Sequence, residues 1–247
     1  MDLGLAGAAA LVTGGNRGIG RATAAALVRE GARVVLLGRD GASLAATAAE
    51  IGAAGHVVAD TTDDGAVVAA VDRTVALLGG IDVLVNCAAP RADVAPPPGL
   101  AGLDDADFLR NLDTKALGYL RTARAAAPHL RERGGAIVNV SGMNARATGN
   151  ITGSVRNIAV VALTKNLADE LGPAGIAVSC VHPGLTVTER TEGDAEYAAV
   201  AARNALGRPV TAAEVADVIT FLVSPRGRAT NGAVVTADGG RPGGLWA

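Results

Sequence analysis

The sequence is poor in aromatic residues, cysteine and histidine, and it has no apolar run long enough to cross a bilayer. Its two cysteines, Cys87 and Cys180, and its three histidines offer neither a disulfide framework nor the ligand spacing of a metal site. Charged residues of both signs are scattered, with a formal net charge of −2, which excludes the basic surface typical of nucleic-acid or membrane binding. We therefore expect the partner to be a small-molecule substrate or another copy of the chain. The low cysteine content favours a reducing, cytoplasmic compartment.

A glycine-rich turn follows the first apolar stretch, in the sequence TGGNRGIG from Thr13 to Gly20. The glycines form a TGxxxGxG pattern, in which the first permits a turn closed to other residues. The later ones lack the Cβ that would hold the backbone away from a pyrophosphate. A helix that begins near Gly18 directs unpaired N–H groups and a partial positive charge at such an anion. The pattern predicts a dinucleotide site formed by Gly14, Asn16, Arg17, Gly18, Ile19 and Gly20.

Short apolar segments alternate with alanine-rich amphipathic segments, which predicts repeated βαβ units around a parallel sheet. No linker rich in proline, serine or charge divides the 247 residues, so we expect a single dinucleotide-binding domain over residues 1–247. A charged stretch around 186–208 is interpreted as a lid-like insertion. Strands are predicted at 8–12, 33–37, 56–59, 81–85, 136–140, 177–181 and 233–236, and helices at 18–30, 42–51, 64–78, 104–133, 151–171 and 212–223.

Two arginines favour NADP over NAD. An NAD-selective sequence has an acidic residue at the end of the second strand, whereas this chain reads LLGRD there. Arg39 is expected to pair with a 2′-phosphate and Arg17 to close on it from the other side; two solvated surface arginines are the alternative. Asp40 is a competitor for the acidic role, which keeps NAD open. Asp60, with Thr61 beside it, is placed to accept from the adenine amino group or, alternatively, to cap a helix.

Five motifs, in this order, resemble those of the short-chain dehydrogenase/reductase family and extend over essentially the whole chain. They are TGGNRGIG at 13–20, VVADTTD at 57–63, NCAA at 86–89, HPGLTVT at 182–188 and ADGG at 237–240. The resemblance implies an α/β, Rossmann-like doubly wound sheet of seven parallel strands in the order 3-2-1-4-5-6-7, with three helices on each face. It also implies a homotetramer or homodimer packed through the helices at 104–133 and 151–171.

The resemblance implies further cofactor-binding residues at two of these motifs. The asparagine of NCAA matches the family residue that steadies the central strand, while the rest of that motif departs conservatively from the family's NNAG. The PG motif in the family holds the nicotinamide amide and the pyrophosphate through its backbone and its hydroxyl groups. The residues implied are Asn86, Ala88, Pro183, Gly184, Thr186 and Thr188.

The resemblance fails at the catalytic centre, where the family uses an asparagine, a serine, a tyrosine and a lysine. Counting from fixed landmarks places Lys115 at the asparagine position, Asn157 at the lysine position and Gly153 at the tyrosine position, so the chain has no YxxxK motif. Ser141 matches the first serine of the family's NxSS pattern, whereas the catalytic serine is usually the second, here Gly142. A shortened loop after this point could bring Ser141 into place.

Lys115, Ser141 and Asn157 are therefore the candidate catalytic residues. The Lys115 ammonium, with its pKa lowered by burial, is expected to act as an acid or an electrostatic clamp. A structural lysine bonded to helix carbonyls or to Asn157 is the alternative. Of the two tyrosines, Tyr119 is predicted to be a buried or interface aromatic. Tyr197 is predicted to be a solvated residue of the lid, and the alternative is that it swings over a substrate.

The function favoured by the sequence is an NADP(H)-dependent oxidoreductase that reduces a small carbonyl, enone or imine with a non-standard proton donor. The intact glycine loop, the arginines and the PG motif support this prediction. The missing tyrosine and lysine support two alternatives. One is a lyase, cyclase, isomerase or dehydratase on the same fold, and the other is a nucleotide-binding protein without catalysis.

Overall fold

A computed structural model describes residues 2–90 and 99–242. Its strands are β1 (Ala9–Thr13), β2 (Arg33–Gly38), β3 (Gly55–Val58), β4 (Val83–Asn86), β5 (Gly135–Val140), β6 (Ile176–Pro183), β7 (Thr186–Val187), β8 (Val210–Thr211) and β9 (Val234–Ala237). Seven of them form one parallel sheet in the order β3-β2-β1-β4-β5-β6-β9, while β7 and β8 pair separately. The predicted sheet order is confirmed, with β9 as the seventh strand. The small β7–β8 pair was not predicted.

Three helices cover each face of the sheet, as the resemblance implied. The helices are α1 (Gly18–Arg29), α2 (Gly41–Ile51), α3 (Asp64–Leu78), α4 (Asp105–Leu112), α5 (Gly118–Arg133), α6 (Ile151–Leu171), α7 (Ala195–Ala201) and α8 (Ala212–Val223). On one face α1, α2 and α8 enclose a core that includes Val12, Leu27, Leu36, Leu44 and Ile219. On the other, α3, α5 and α6 enclose Leu11, Leu37, Val71, Leu130 and Leu171. Burial on both faces explains the nearly continuous apolar strands.

The predicted helix over 104–133 is interrupted. The chain forms α4, then a π-helical turn at Asp113–Leu117, then α5. Such turns widen the helix locally and often occur at functional sites. Here the turn carries Lys115, which is buried, while Leu117 at its end is exposed. Periodicity does not reveal this turn, because the residues on either side of it are ordinary helix formers.

The stretch interpreted as a lid is folded onto the rest of the chain. The two residues of β7 pair with β8, and the Tyr197 hydroxyl on α7 donates to the Thr186 carbonyl oxygen at 3.2 Å. Asp194 caps α7 by accepting from the Tyr197 N–H. Motion of this segment stays a prediction. Across 2–90 and 99–242, no helix is both long and apolar enough to cross a membrane.

Candidate functional site

A cleft of about 350 Å³ opens at the carboxyl edge of the large sheet, where β1 lies between β2 and β4. The strand order reverses at this point, which is where open α/β sheets bind their ligands. The cleft brings together residues that are far apart in the sequence. The predicted residues that line it are Gly14, Asn16, Arg17, Gly18, Ile19, Gly20, Arg39, Asp60, Thr61, Ala88, Lys115, Ser141, Pro183, Gly184, Thr186 and Thr188.

The glycine loop has the predicted strand–turn–helix geometry. Gly14 has a φ of +64°, a conformation that disfavours a side chain. A Cβ at Gly20 would lie 2.2 Å from the Gly14 carbonyl oxygen, so the absence of a side chain there lets α1 pack against the turn. The Thr13 hydroxyl accepts from the N–H groups of Cys87 and Ala88, each at 3.1 Å, and so joins this loop to the segment after β4.

The loop already interacts with an anionic group of the protein. Glu189 Oε1 accepts a 2.7 Å hydrogen bond from the N–H of Gly18, the first residue of α1. Glu189 also lines the cleft, and so do Arg190 and Tyr197. Sequence reasoning missed Glu189. The one available signal was its position directly after Thr188, the last residue of the PG motif.

Asn86, for which the resemblance implied a cofactor contact, is not among the described residues that line the cleft. It is fully buried, and its Nδ2 donates to Asn139 Oδ1 at 3.0 Å while its Oδ1 accepts from the Thr122 hydroxyl at 2.7 Å. These bonds join β4 to β5 and α5. Asn86 therefore steadies the central strand through these bonds, as the resemblance implied, and its side chain is not part of the cleft wall.

The basic rim of the cleft contains Arg17 and Arg39. Arg39 Nη1 lies 3.6 Å from Asp60 Oδ2, and its side chain is 65% exposed. Burial by itself raises the pKa of Asp60, but hydrogen bonds from Thr62 and the charge of Arg39 outweigh it, so the pKa lies below its ordinary value. Asp40, the competing acidic residue, instead caps α2 by accepting from a backbone N–H of that helix.

Lys115 lies in the wall of the cleft and is 4% exposed. Its Nζ donates to the Ser141 carbonyl oxygen at 2.8 Å and to Asn157 Oδ1 at 3.1 Å, and both acceptors are uncharged. Burial lowers the pKa of Lys115 to about 7, and the charge of Arg156 acts in the same direction. Lys115 and Asn157, which sequence counting assigns to the family's asparagine and lysine positions, are thus in direct contact in the fold.

Ser141 and Asn157 hold each other as well as the lysine. The Ser141 hydroxyl donates to the Asn157 carbonyl oxygen at 2.9 Å, so that hydroxyl is already used as a donor. Asn157 is buried and lies outside the set of described residues that line the cleft. The structure therefore brings the three candidate residues together but presents only Lys115 and Ser141 to the cleft.

The position that sequence counting assigns to the family's tyrosine is crowded. A Cβ placed on Gly153 would lie 2.6 Å from Asn144 Nδ2 and 2.9 Å from Asn150 Oδ1. Asn150 is held there because its Oδ1 accepts from the Gly153 N–H as the N-cap of α6. A side chain at position 153 would therefore require Asn144 or Asn150 to shift.

Neither tyrosine is at position 153, where sequence counting places the family's proton donor. Tyr119 is buried, as predicted, and its hydroxyl donates to the Val140 carbonyl oxygen at 3.0 Å. Tyr197 is partly buried against β7, which corrects the prediction of a solvated residue, and burial raises its pKa. His182 is buried too, and its Nδ1 has no hydrogen-bond partner in the described part of the chain. Burial lowers the pKa of His182 to about 4, so the ring is neutral at pH 7.

Comparison with known proteins places these features in a family. The sequence model of a family described as enoyl-(acyl carrier protein) reductase matches residues 14–241. The short-chain reductase protein NovJ of Streptomyces niveus is 36% identical over 248 residues, covering 94% of this chain and 93% of NovJ. A short-chain dehydrogenase from Burkholderia cenocepacia J2315 in complex with NADP has a TM-score of 0.84 and 35% identity, covering 96% of this chain and 98% of that one. L-sorbose reductase from Gluconobacter frateurii, complexed with NADPH and L-sorbose, has a TM-score of 0.89 and 27% identity, covering 99% and 100%.

The chain belongs to the short-chain dehydrogenase/reductase family. The family resemblance of the five motifs is thereby confirmed. Its doubly wound parallel sheet agrees with the structures to which it is similar.

Proposed function

We propose that this protein is an NADP(H)-dependent reductase of a small carbonyl, enone or imine compound, in which Lys115 donates the proton. The observation that carries the proposal is the position of Lys115 in the cleft wall, with its amine bonded to two uncharged oxygens. Short-chain dehydrogenases of similar structure bind NADP or NADPH. In this chain the usual tyrosine and lysine are replaced, so another group must deliver the proton.

The residues of the cleft fit a phosphorylated dinucleotide. A carboxylate already accepts a hydrogen bond from the Gly18 N–H, so an anionic oxygen is compatible with this end of α1. Arg17 and Arg39 line the same cleft, and their guanidinium groups suit a 2′-phosphate. Pro183, Gly184, Thr186 and Thr188 line it as well and would hold the nicotinamide side.

Bound NADPH would supply the hydride, and the protein's own residues would manage the proton. An ammonium group has three N–H donors. Lys115 uses two of its N–H groups to donate to Ser141 and Asn157. The third N–H is left for the oxygen or nitrogen of a substrate in the cleft. Lys115 gives up this proton and remains in place as an amine, still bonded to the same two oxygens. Ser141 and Asn157 act as positioning residues, because they hold the amine and its orientation.

The test is to replace Lys115 by methionine and to measure NADPH binding and turnover separately. We expect Lys115→Met to lower the rate of NADPH oxidation with a reducible substrate by about 100-fold, the usual contribution of a general acid, with little change in the Kd for NADPH. Lys165→Met is the matched control, because Lys165 is an exposed lysine on α6, and this variant should retain full activity. Unchanged turnover in Lys115→Met would contradict the proposed role.

A second candidate is a protein that binds the dinucleotide without transferring hydride, either as a non-redox enzyme or as a nucleotide-dependent binding protein. The observation that favours it is the crowding at Gly153, where a side chain in the position expected for the tyrosine would require Asn144 or Asn150 to shift. Tight NADPH binding without oxidation by any ketone, enone or imine in a panel would support this candidate against the reductase.

A further inference from the structure

The Glu189 carboxylate occupies part of the place that the glycine loop offers to a phosphate. Its Oε1 lies 2.7 Å from the Gly18 nitrogen, at the first residue of α1. The first N–H groups of a helix have no partner within the helix and carry a partial positive charge, so they stabilise a negative group there. The protein therefore supplies an anion of its own to this donor.

The turn that carries Glu189 has a defined position. On one side, Thr186 and Val187 pair with Val210 and Thr211. On the other, the N–H groups of residues 191 and 192 both donate to the Thr188 carbonyl oxygen at 2.9 Å. The turn also rests on the loop, because Thr188 Cγ2 lies 3.6 Å from the position of a Cβ on Gly18.

A second cavity, of about 330 Å³, lies beside the cleft, and Glu189 lines both. Its wall also contains Arg21 and Thr211. A carboxylate that leaves Gly18 thus has adjacent space, in which the Arg21 guanidinium already pairs with Glu50 and the Thr211 hydroxyl already bonds to Glu214. The turn that carries Glu189 is held by backbone hydrogen bonds, and the carboxylate takes no part in them.

We propose that Glu189 competes with the dinucleotide pyrophosphate for the end of α1 and thereby lowers the affinity for the cofactor and speeds its release. This inference rests on the proposed NADP(H) binding. One N–H of Gly18 cannot donate to Glu189 and to a phosphate oxygen at full strength, and two anions at that point repel each other. Glu189 must therefore move before the pyrophosphate binds. The free energy of its lost hydrogen bond to Gly18 makes cofactor binding weaker by that amount.

The experiment measures the Kd values of the full-length protein for NADPH and for 2′-AMP, a fragment that has no pyrophosphate. We expect Glu189→Ala to bind NADPH about two- to fivefold more tightly, as the loss of an exposed charge at a helix terminus implies. Glu189→Gln should fall between, because its amide oxygen still accepts the hydrogen bond but carries no charge. Binding of 2′-AMP should not change. Glu192→Ala removes a carboxylate from the same turn and should leave the NADPH Kd near the wild-type value.

Thermal unfolding provides a readout that is independent of turnover. Without ligand, Glu189→Ala should melt at a lower temperature than wild type, because the contact with Gly18 is lost. Saturating NADPH should raise its melting temperature by more than it raises that of wild type.

Three results would overturn the inference: an unchanged or weaker NADPH affinity in Glu189→Ala, an equal tightening of 2′-AMP, or an equal effect of Glu192→Ala. The last two would indicate a general effect of charge and no competition at Gly18. Failure of NADPH to bind or stabilise any variant, wild type included, would instead refute the proposed cofactor, so the two failures are distinguishable.

Discussion

Lys115 is enclosed by oxygen atoms that carry no formal charge, so the protein stabilises its ammonium form only weakly. Hydrogen bonds to Ser141 and Asn157 do not offset the loss of water, and the pKa falls from an ordinary 10.5 to about 7. A group with this pKa exchanges its proton readily at neutral pH, which is the requirement for a general acid or base. Lysine therefore suits proton transfer at this position, where the sequence resemblance predicts an asparagine in the family, because a neutral amide does not titrate near pH 7.

The pH dependence of the reaction follows from this pKa. We expect kcat/KM for reduction to fall as the pH rises through about 7, because the ammonium that donates the proton is lost. Measurement of kcat/KM against pH in wild type and in Lys115→Met should find this decline only in wild type. Identical profiles in the two proteins would contradict the assignment.

Stability should change in the opposite direction over the same range. Between pH 7 and 10.5 the unfolded chain retains a Lys115 proton that the folded chain has released, so the free energy of unfolding rises with pH. Urea unfolding at several pH values should give a flatter dependence for Lys115→Met.

At the scale of elements, helix ends and one helical interruption place the functional groups. The π-helical turn at Asp113–Leu117 brings Lys115 to the cleft from the middle of a long helical segment. At the other side of the site, Thr211 ends β8 and begins α8. It forms a capping box: the Thr211 hydroxyl accepts from the Glu214 N–H, and the Glu214 carboxylate accepts from the Thr211 N–H. Because β8 pairs with β7, this cap also anchors the segment that leads to Glu189.

Loss of this cap should be measurable. We expect Thr211→Ala to lower the free energy of unfolding by about 1 kcal/mol, because the Glu214 N–H loses its acceptor at the start of α8. Thr211→Ser keeps a hydroxyl and should retain most of the stability. Urea denaturation of the three proteins makes the comparison, and equal losses in both variants would show that the hydroxyl is not the stabilising group.

The whole molecule exposes apolar side chains on the helices through which the sequence resemblance predicts self-association. Ile151, Val155 and Ile158 follow one face of α6, with exposures of 44%, 39% and 50%, and Leu109 and Leu117 are exposed on the neighbouring helical segment. Clusters of this kind are typical of protein–protein interfaces. The dimer or tetramer expected from the sequence stays a prediction, and this face is where we expect the contact.

Ile158→Arg tests that expectation, because a charged group in the centre of a packed interface opposes association. We expect it to weaken self-association roughly tenfold or more, as determined by analytical ultracentrifugation over a range of concentrations. Val68→Arg is the matched control, since Val68 is also an apolar helical residue and is 45% exposed, but lies on α3. Equal effects of the two substitutions would exclude the α6 face as the contact.

Much of the architecture was predictable, because it depends on patterns within short segments. Alternating apolar and amphipathic stretches identified the seven strands of the sheet, and the predicted bounds of α3, α6 and α8 agree with the structure. The glycine loop was equally predictable, since its shape depends on missing side chains at neighbouring positions. The π-helical turn and the short α7 were not predicted, because tertiary packing decides them against weak local preferences.

The sequence by itself determined the family, the parallel sheet and the absence of a YxxxK motif, because each is recorded in residue order and spacing. Only the tertiary structure decided what replaced that motif. The bond from Lys115 to Asn157 joins residues of two separate helical segments that are 42 positions apart. The contact of Glu189 with Gly18 joins residues that are 171 positions apart. Such contacts depend on how the chain packs in three dimensions, and no local pattern of residues specifies them.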